Sequence, residues 1–345
     1  MKAAHITQYG EPETALEIVD VDKPEPGPDE VRIQVERVAL NHLDVFARRG
    51  HPSDDDDFPK RTGCDIAGTV DTVGSEADGE WEGTNVVVYP GVSCGDCEYC
   101  LMGEQTMCSQ YEIIGEDRPG GLAEYVVVPE RCIEALPTAL DFETAAAVPI
   151  AFTTAWRMMI TTGGLRPAES ALVLGASGGV GNAALQIANR VGATVYATTS
   201  TERKAARLRQ WADEVIDYTE TPFTDTVAEL TDGRGVDIVA DHVGESTWQE
   251  SIDSLAMGGR MVICGATSGA DPDIDIRSVY QAHRQIRGAP MGNRVEFRDV
   301  LSLVARNELV PQVDCTLPLE DIAAGHRTIE NREVIGKIII DPTTP

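Results

Sequence analysis

Basic residues are scarce in this 345-residue chain, and lysine is the scarcer of the two kinds. Lysine and arginine together number 28 against 57 aspartates and glutamates, which gives a formal net charge of −29. Only five of the basic residues are lysines. A surface this acidic repels the phosphates of nucleic acids and of anionic membranes, so the composition argues against both as partners.

Long apolar runs are also missing. No run approaches the ~20 residues that a membrane-spanning helix needs, and the N-terminus MKAAHITQYG lacks the apolar core of a signal peptide. The sequence therefore predicts a soluble, cytoplasmic protein, long enough for two domains.

The acidic residues are spread along the whole chain, with Asp54–Asp57 as the densest run. This distribution resembles that of proteins from salt-loving archaea, in which concentrated salt screens the self-repulsion. The run itself is interpreted as a solvated loop in preference to a metal site.

Residues 1–135 contain short apolar stretches broken by Gly, Pro and Asp, which predicts a compact, mostly β domain. Strands are expected at 31–40, 68–73, 85–89 and 124–128. From residue 141 the apolar spacing becomes helical.

Strands and helices then alternate up to about residue 283, which predicts a parallel, doubly wound sheet with right-handed crossovers. The expected strands are 171–174, 194–198, 214–216, 236–240 and 260–264. The expected helices are 154–160, 181–191, 202–211, 224–230 and 246–255. A helix at 294–306 and a strand at 336–340 are expected to return to the first domain.

The strand Ala171–Leu174 leads into the loop Gly175-Ala-Ser-Gly-Gly-Val-Gly181 and then into a helix. Glycines also serve ordinary turns, but here a strand precedes the loop and a helix follows it. This arrangement is typical of a dinucleotide site, where the missing side chains let backbone N–H groups approach a pyrophosphate.

The end of the second strand indicates which dinucleotide is bound. An NAD site usually has an acid there, about 20 residues past the glycines. Here that strand ends in Thr198, Thr199 and Ser200, and Arg203 and Lys204 follow. The two cations are either merely exposed or partners of a 2′-phosphate. Because cations are unfavourable in the first turn of a helix, the phosphate interpretation, and hence NADPH, is preferred.

Four of the eight cysteines, Cys94, Cys97, Cys100 and Cys108, have the spacing C-x2-C-x2-C-x7-C. Four thiolates on one short loop can close a tetrahedral shell around structural zinc. Two disulfides are the alternative, but cysteines three apart seldom reach disulfide geometry and the chain shows no secretory signal. Zinc is preferred, with a role in holding the loop.

Together these features resemble the medium-chain dehydrogenase/reductase superfamily, which includes the zinc alcohol dehydrogenases and the quinone oxidoreductases. The resemblance rests on Gly63-Cys-Asp-Ile-Ala-Gly-Thr-Val70, the cysteine lobe, Gly175–Gly181, Asp241-His-Val-Gly244 and Gly336-Lys-Ile-Ile-Ile340. It implies an α/β fold with a GroES-like, mostly-β catalytic domain, a Rossmann domain and a reaction cleft between them. The GroES-like domain is placed at 1–135 and 284–345, with a zinc lobe at 91–110, and the NADP(H)-binding Rossmann domain at 136–283.

The alcohol dehydrogenases of this superfamily hold a catalytic zinc with a cysteine, a histidine in a Gly-His-Glu triplet, and a further cysteine or acid. The matching positions here are Asn41, Cys64 and Ile150. One thiolate cannot hold a catalytic metal that needs about three protein ligands. A catalytic metal with an unusual ligand set, to which His42 or Asp65 contributes a ligand, remains the alternative.

The missing zinc ligands change the expected reaction, because alcohol oxidation needs a Lewis acid to hold the alkoxide. The resemblance to quinone oxidoreductases, through Asn41-His-Leu-Asp44, implies hydride transfer from NADPH to an enone, a quinone or an enoyl thioester. Lys204 and Tyr218 fall where that group contacts the NADP phosphate. That subgroup usually lacks the cysteine lobe, so this chain combines a retained structural zinc with a lost catalytic one.

The expected catalytic residues are Asn41, Phe46 and Cys64. Asn41 is expected to hydrogen-bond the substrate carbonyl or a cofactor amide, and Phe46 to form an apolar wall beside the nicotinamide. Cys64 is either a packed thiol or a reactive one. Asp44 is expected to orient the loop, and water or a cofactor ribose hydroxyl to supply the second proton.

The expected cofactor contacts come from several strand ends and from the C-terminal strand. They are Thr154, Ser177, Gly178, Gly179, Val180, Thr199, Ser200, Arg203, Lys204, Tyr218, Val243, Gly265, Ala266, Thr267 and Lys337. The resemblance also implies a homodimer, with a tetramer as a further possibility, joined through Arg260–Gly265 and Gln285–Met291.

Two other functions stay open at this stage. One is a zinc-dependent alcohol or polyol dehydrogenase with an unusual ligand set. The other is a non-catalytic NADPH-binding protein.

Overall fold

The computed structural model describes residues 1–50 and 57–344. Of the acidic run Asp54–Asp57, only Asp57 falls within this part of the chain, and it is exposed; the interpretation of the other three lies outside the described residues. The chain forms two compact units, residues 1–150 with 293–345 and residues 151–292.

The described strands, in chain order, are β1 (Lys2–Ile6), β2 (Leu16–Asp20), β3 (Glu30–Ala39), β4 (Asp65–Val73), β5 (Asn85–Val88), β6 (Gly91–Val92), β7 (Glu112–Ile113), β8 (Tyr125–Pro129), β9 (Ile133–Ala135), β10 (Ser170–Val173), β11 (Thr194–Thr199), β12 (Glu214–Asp217), β13 (Val236–Asp241), β14 (Leu255–Ile263), β15 (Gln285–Gly288), β16 (Val313–Pro318) and β17 (Lys337–Asp341).

The described α-helices are α1 (Pro12–Ala15), α2 (His42–Arg49), α3 (Glu98–Leu101), α4 (Phe142–Ala146), α5 (Pro149–Trp156), α6 (Gly179–Val191), α7 (Glu202–Leu208), α8 (Phe223–Leu230), α9 (Trp248–Asp253), α10 (Ile276–Tyr280), α11 (Arg294–Ala305) and α12 (Ile322–Glu330). None of the helices in the described residues is long and apolar enough to cross a membrane.

The first unit is built on a mixed sheet in the order β16-β17-β3-β4-β5-β9, with β8 also paired to β3. Alternate residues of β3, Val31, Ile33 and Val35, are fully buried in its core, as the two-residue period of a strand requires. The C-terminal strand β17 pairs with β3, which brings the chain's last segment into this sheet.

The second unit is a six-stranded parallel sheet in the order β12-β11-β10-β13-β14-β15. Ala171, Leu172 and Val173 in β10 are completely buried, as expected of a central strand covered on both faces. The strand order reverses between β10 and β13, and such a reversal creates a crevice at the carboxyl ends of the strands. The predicted doubly wound sheet is confirmed.

The unit boundaries fall later than the sequence predicted. The first unit runs to Ile150 instead of 135, because α4 packs against β3 and β4. The second unit runs to Gly292 instead of 283, because β15 pairs with β14.

Two helix predictions were wrong in extent. The helix expected at 154–160 begins at Pro149, where a proline fits the first turn, and it continues as a π-helix over Arg157–Thr162. The helix expected at 246–255 shrinks to α9 because the chain from Leu255 onward joins β14, past a register shift opposite Val236–Ile238.

The two segments expected to form a dimer contact lie in neighbouring strands of this sheet. β14, which contains Arg260, has hydrogen-bonded neighbours on both sides in β13 and β15. Only β15 is the terminal strand at that side of the sheet.

A buried cluster joins α2 to α12 in the first unit. The Nε of Arg48 donates to Nδ1 of His326 at 3.3 Å, and the same guanidinium pairs with Glu330. His326 is completely buried, and burial, aided by the Arg48 charge, lowers its pKa to about 3. The imidazole is therefore neutral in the folded protein at any pH well above 3.

This depressed pKa makes a specific contribution to acid sensitivity. Below about pH 6.5 His326 is protonated in the unfolded chain but stays neutral in the folded chain until the pH approaches 3. The contribution of this residue to the free energy of unfolding is therefore complete above pH 6.5 and is lost as the pH falls toward 3. The loss amounts to about 1.4 kcal/mol per pH unit over this interval. Denaturant unfolding of His326→Gln should therefore show a shallower acid decline than the parent.

His283→Asn is the matched control, because His283 is exposed and its positive φ of 53° is tolerated by asparagine. It should follow the parent curve at every pH. Parallel curves for the parent and His326→Gln between pH 6 and 4 would contradict the assignment.

Candidate active site

The glycine loop lies at the carboxyl end of β10. Gly175 has a φ of 52°, a left-handed conformation that favours glycine. Its N–H donates to Oγ1 of Thr198 at 3.2 Å, which ties the loop to β11. Gly178 then serves as the N-cap of α6 without any side-chain cap. A helix N-terminus of this kind presents backbone N–H groups to a phosphate.

Gly181 allows α6 to pack closely on the loop. A Cβ at this position would lie 2.4 Å from the carbonyl oxygen of Gly175 and 2.9 Å from Cα of Ala176. Both are backbone atoms, so they cannot swing away. A Cβ at Gly178 would meet only the Gly175 oxygen, at 3.6 Å, which leaves room for a ligand to approach the backbone there.

The residues predicted to contact the ribose phosphate lie at the ends of β11 and β12 and at the start of α7. The N–H of Tyr218 donates to the carbonyl of Thr199 at 3.3 Å, and Tyr218 itself is 39% exposed. Lys204 in the first turn of α7 is buried, whereas Arg203 beside it is exposed.

The acid in the first turn of α7 is committed elsewhere. The carboxylate of Glu202 accepts hydrogen bonds from Arg209 at 2.6 and 2.9 Å, and these bonds lower its pKa. Glu202 also lies past the end of β11, whereas the acid that binds ribose hydroxyls in NAD sites stands at the strand end, where this chain has Thr199 and Ser200.

A dinucleotide fits this edge of the sheet on structural grounds. Oγ1 of Thr199 is buried and has no hydrogen-bond partner among the described residues. That hydroxyl is covered by the protein itself, so the fit to a dinucleotide rests instead on the open approach to the backbone at Gly178 and on the N-terminus of α6, which has no side-chain cap.

The loop after β13 is fixed by Asp241, whose carboxylate is completely buried. Oδ1 accepts from the N–H groups of Val243 and Gly244 at 2.7 and 3.0 Å, and Oδ2 accepts from Thr247 and Ser251 at 2.9 and 2.7 Å. Thr267, after β14, donates its N–H to the carbonyl of His242. These bonds hold the loops after β13 and β14 at the carboxyl edge.

The second unit thus contains nearly all the predicted cofactor contacts, and most of them stand at strand ends. They are Thr154 (buried in α5), Ser177, Gly178, Gly179, Val180, Thr199, Ser200, Arg203, Lys204, Tyr218, Val243, Gly265, Ala266 and Thr267. Lys337 is different, because it lies in β17 of the first unit.

The first unit contains the predicted catalytic residues around the start of α2. The buried carboxylate of Asp44 accepts from the N–H of Asn41 at 2.7 Å and from the N–H of Gly63 at 2.8 Å. Burial raises the pKa of Asp44, against the effect of these bonds. Asp44 has the backbone-orienting contacts that the sequence predicted for it.

Asp65, the first residue of β4, is the centre of a buried polar cluster. Its Oδ1 accepts from the N–H of Ile150 at 2.7 Å, and its Oδ2 accepts from Nδ2 of Asn41 at 3.0 Å and from Nζ of Lys337 at 2.9 Å. The Lys337 ammonium also donates to Oδ1 of Asn41. Both ends of the Asn41 amide are therefore fixed.

Cys64 is completely buried between these acids. Burial, followed by the charges of Asp44 and Asp65, raises the pKa of its thiol well above the ordinary value. A thiol that stays protonated is a poor nucleophile, so the packing role fits this environment better than the reactive one. Phe46 on α2 is 39% exposed, and its ring lies 6.2 Å from that of His42.

The residues around Cys64 do not fit a catalytic zinc. Both oxygens of Asp65 and both oxygens of Asp44 already accept hydrogen bonds, and the Lys337 ammonium contacts Asp65 directly. Asn41 and Ile150 offer no thiolate, imidazole or carboxylate.

Cys94, Cys97, Cys100 and Cys108 do fit a metal. Their sulfur atoms all lie within 4.8 Å of one another, and the Cys94 sulfur is 3.8 and 3.5 Å from those of Cys100 and Cys108. Zn–S bonds of about 2.3 Å in a tetrahedron place the sulfurs about 3.8 Å apart. None of these cysteines forms a disulfide.

The sequence interpretation missed the part played by Asp65 and Lys337. Asp65 was considered only as a possible metal ligand, and Lys337 only as a cofactor contact. One signal was present: both charges stand beside apolar runs that read as buried strands, and buried charges need partners.

Known proteins resemble this chain over nearly its full length. Residues 27–138 match the alcohol dehydrogenase GroES-like domain and residues 179–306 match the zinc-binding dehydrogenase family. Acryloyl-coenzyme A reductase from Sulfurisphaera tokodaii is 32% identical over 96% of this chain and 98% of its own. Human quinone oxidoreductase is 28% identical over 99% and 97%. A crystal structure of an NAD-dependent alcohol dehydrogenase is 42% identical, with a TM-score of 0.94 over 99% of both chains.

The fold and the dinucleotide edge define a nicotinamide-dependent oxidoreductase. The chain belongs to the medium-chain dehydrogenase/reductase superfamily, with a GroES-like domain and a Rossmann sheet. The predicted fold class is confirmed. These comparisons do not confirm the resemblance of the composition to that of salt-loving archaea, so that part of the prediction stays a prediction.

Proposed function

We propose that this protein is an NADP(H)-dependent reductase of an activated C=C bond or a quinone, with a structural zinc and no catalytic zinc. The observation that carries the proposal is the donor set around Cys64. Asn41 and Ile150 replace two metal ligands, and the carboxylates of Asp44 and Asp65 are committed to other donors. The resemblance to acryloyl-coenzyme A reductase and quinone oxidoreductase supports the same reaction class.

The bound nicotinamide would supply the hydride. Addition of hydride to the β-carbon of an enone or enoyl thioester leaves negative charge on the carbonyl oxygen, and a proton from water then completes the product. We assign Asn41 to stabilise that oxygen with the Nδ2 proton that makes only a long 3.4 Å contact with the carbonyl of Ala39, because the other Nδ2 proton is held by Asp65. The ammonium polarises the Asn41 amide through Oδ1, and a fixed donor near a developing charge lowers the barrier.

The residues at the carboxyl ends of β11 and β12 and in the first turn of α7 support the preference for NADPH. Glu202 is held by Arg209, while Arg203, Lys204 and Tyr218 flank the hydroxyl-bearing end of β11. The double variant Arg203→Ala/Lys204→Ala should weaken NADPH binding about tenfold to a hundredfold, because two charge-assisted contacts are lost, and leave NADH binding within about twofold.

Arg207→Ala is the matched control for this prediction, since Arg207 lies in the last turn of the same helix. Fluorescence titration of each variant with both cofactors measures the effect. Equal losses for NADPH and NADH would contradict the assignment of these cations to a 2′-phosphate.

An alcohol dehydrogenase is the second candidate, because the solved structure that is 42% identical is one of these enzymes. A panel of enones, quinones and short enoyl-coenzyme A esters with NADPH or NADH, beside alcohols with NADP⁺ or NAD⁺, separates the two. The panel is run at low and at molar salt because of the net charge of −29. Chelator-resistant NADPH oxidation by the unsaturated substrates is expected. Turnover confined to alcohols and abolished by chelation would overturn the proposal, and no turnover despite NADPH binding would favour a non-catalytic binder.

The zinc assignment predicts one zinc ion per chain by elemental analysis. Cys97→Ser should lose this zinc and become sensitive to proteolytic cleavage within 94–108, because three thiolates no longer close the shell. Cys315→Ser, outside the cluster, should keep both the zinc and the protease resistance. A second equivalent of tightly bound zinc would argue for a catalytic metal instead.

A homodimer through β15 is part of the same proposal. β15 is the terminal strand of the parallel sheet, and its Ile286 is 37% exposed. Terminal strands with unpaired backbone groups favour pairing with another chain. Light scattering should give twice the chain mass of 37.1 kDa, and a monomer would contradict this part.

A further inference from the structure

The turn Ile113–Arg118, which follows the cysteine lobe, lies against the backbone of Cys64. A Cβ on Gly115 would stand 2.8 Å from the carbonyl carbon of Gly63 and 2.9 Å from the nitrogen of Cys64. Gly115 has a φ of 91°, which favours glycine, and its N–H donates to the carbonyl of Arg118 at 2.8 Å. The turn is therefore fixed close to one of the predicted catalytic residues.

The charged side chains of this turn are bound, with one exception. Nε of Arg118 donates to the carboxylate of Glu112, the residue just before the turn. Oδ2 of Asp117 accepts from the N–H of Ile113 at 2.8 Å. Among the described residues, the carboxylate of Glu116 has no hydrogen-bond or ion-pair partner, and Glu116 is exposed. Its two oxygens are therefore free to contact a ligand.

The charge of Glu116 acts on the buried thiol next to the turn. Burial raises the pKa of Cys64, and three carboxylates add to this effect: Asp44, Asp65 and Glu116. Asp44 and Asp65 each accept hydrogen bonds with both of their oxygens. Of the three acids, only Glu116 can offer a carboxyl group to a molecule that binds beside Cys64.

Asp44 connects this turn to the residue assigned to the substrate oxygen. Its carboxylate accepts from the N–H groups of Asn41 and Gly63, and Gly115 packs against Gly63. The charge of Asp44 also acts on Glu116. In an enone or enoyl thioester the α-carbon is bonded directly to the carbonyl carbon. A proton donor for the α-carbon must therefore stand beside the group that holds the carbonyl oxygen.

We propose that the carboxyl group of Glu116 donates the proton that completes the reduction. This rests on the proposed function, in which hydride reaches the β-carbon and leaves an enolate. The C=C electron pair of the enolate forms a C–H bond at the α-carbon with the proton of Glu116, and the carbonyl re-forms. The O–H electron pair stays on the carboxylate, which water reprotonates. For a quinone, the same proton goes to the oxyanion.

The surroundings of Glu116 suit a general acid. Partial burial, followed by the charges of Asp117 and Asp44, raises the pKa of its carboxyl group, and the charge of Lys60 opposes them. A raised pKa keeps more of the carboxyl group protonated near neutral pH, and only the protonated form can donate. The value of kcat/KM should therefore fall as the pH rises through the pKa of Glu116.

Steady-state kinetics with NADPH and an unsaturated substrate test this role across a range of pH. Glu116→Gln should lower kcat about a hundredfold and abolish the alkaline fall of kcat/KM. Asp117→Asn is the matched control, because the amide keeps an oxygen for the N–H of Ile113 while its lost charge lowers the pKa of Glu116. At acid pH it should keep kcat within about twofold of the parent, and its alkaline fall should begin at a lower pH.

Carbon NMR of the free protein gives a readout that needs no turnover. The carboxyl resonance of Glu116, assigned by its absence in Glu116→Gln, should titrate at the pH where kcat/KM falls. Product stereochemistry is a further readout, with an enone that carries a methyl group on its α-carbon. The parent should give one enantiomer, because the proton comes from one face, and Glu116→Gln should give a mixture.

The outcomes separate this inference from the proposed function. Parental kcat, an unchanged alkaline fall or a single enantiomer in Glu116→Gln would overturn the inference and leave the reductase assignment in place. An unshifted alkaline fall in Asp117→Asn would do the same, and that variant keeps Glu116 itself intact. A parent protein that turns over alcohols alone would overturn both.

Discussion

Replacement of Gly181 by alanine is expected to destabilise the second unit by about 2 kcal/mol and to weaken cofactor binding by tenfold or more. Alanine is the better helix former by about 1 kcal/mol, so propensity alone predicts the opposite sign. The steric clash should outweigh this gain in helix propensity, because the new Cβ would lie 2.4 Å from the Gly175 oxygen. The clash can be relieved only by moving the backbone of the glycine loop.

Gly178→Ala distinguishes the packing of α6 on the glycine loop from the approach of the pyrophosphate to the loop backbone. Its Cβ meets only the Gly175 oxygen, at 3.6 Å, and its φ of −79° suits alanine. Unfolding free energy should therefore stay within about 1 kcal/mol of the parent, while NADPH affinity falls because the pyrophosphate loses its close approach. Thermal unfolding and cofactor titration on both variants measure this contrast. Equal stability of the two variants would mean that α6 is not packed against the loop as described.

Substitution of Asp65 by asparagine should lower the free energy of unfolding by about 3 kcal/mol, since it leaves the Lys337 ammonium buried without a counter-charge. It should also reduce kcat tenfold or more, because the Asn41 amide loses the carboxylate that fixes it. KM should change less than kcat if Asn41 acts on the developing oxyanion.

Two comparisons make this prediction specific. Asp71 lies in the same strand as Asp65, is 24% exposed and pairs with Arg32 of β3. Arg32 keeps Glu25 as a second partner, so Asp71→Asn should cost only about 1 kcal/mol. Asp65→Asn/Lys337→Met removes both buried charges and should recover much of the lost stability without recovering kcat. Urea unfolding and steady-state kinetics report the two effects. If Asp65→Asn were no more damaging than Asp71→Asn, the cluster would not hold the site together.

Local features were predictable from the sequence because each depends on residues close together in the chain. The cysteines at 94–108 can meet around one ion without any long-range contact. The loop Gly175–Gly181 likewise carries its own conformational requirements, and the apolar run before it identified β10 as a buried central strand. The parallel, doubly wound character of the sheet then followed from the alternation of strands and helices, whereas the order of its strands came from the structure.

Element ends were less predictable, because tertiary pairing decided them. The apolar residues Leu255, Ala256 and Met257 suit a helix or a strand equally well by spacing. Pairing with β13 placed Leu255 in β14 and ended α9 at Asp253.

The sequence by itself determined the class of fold, the dinucleotide loop and the four-cysteine lobe, since these depend on short spacings and on residue type. Only the tertiary structure shows which residues occupy the place around Cys64 where the alcohol dehydrogenases hold a catalytic zinc. Asp65 and Lys337 are 272 residues apart, and they meet because β17 joins the sheet that contains β4. The physical reason is burial: a charge inside the sheet must be paired, but the strand register selects the partner.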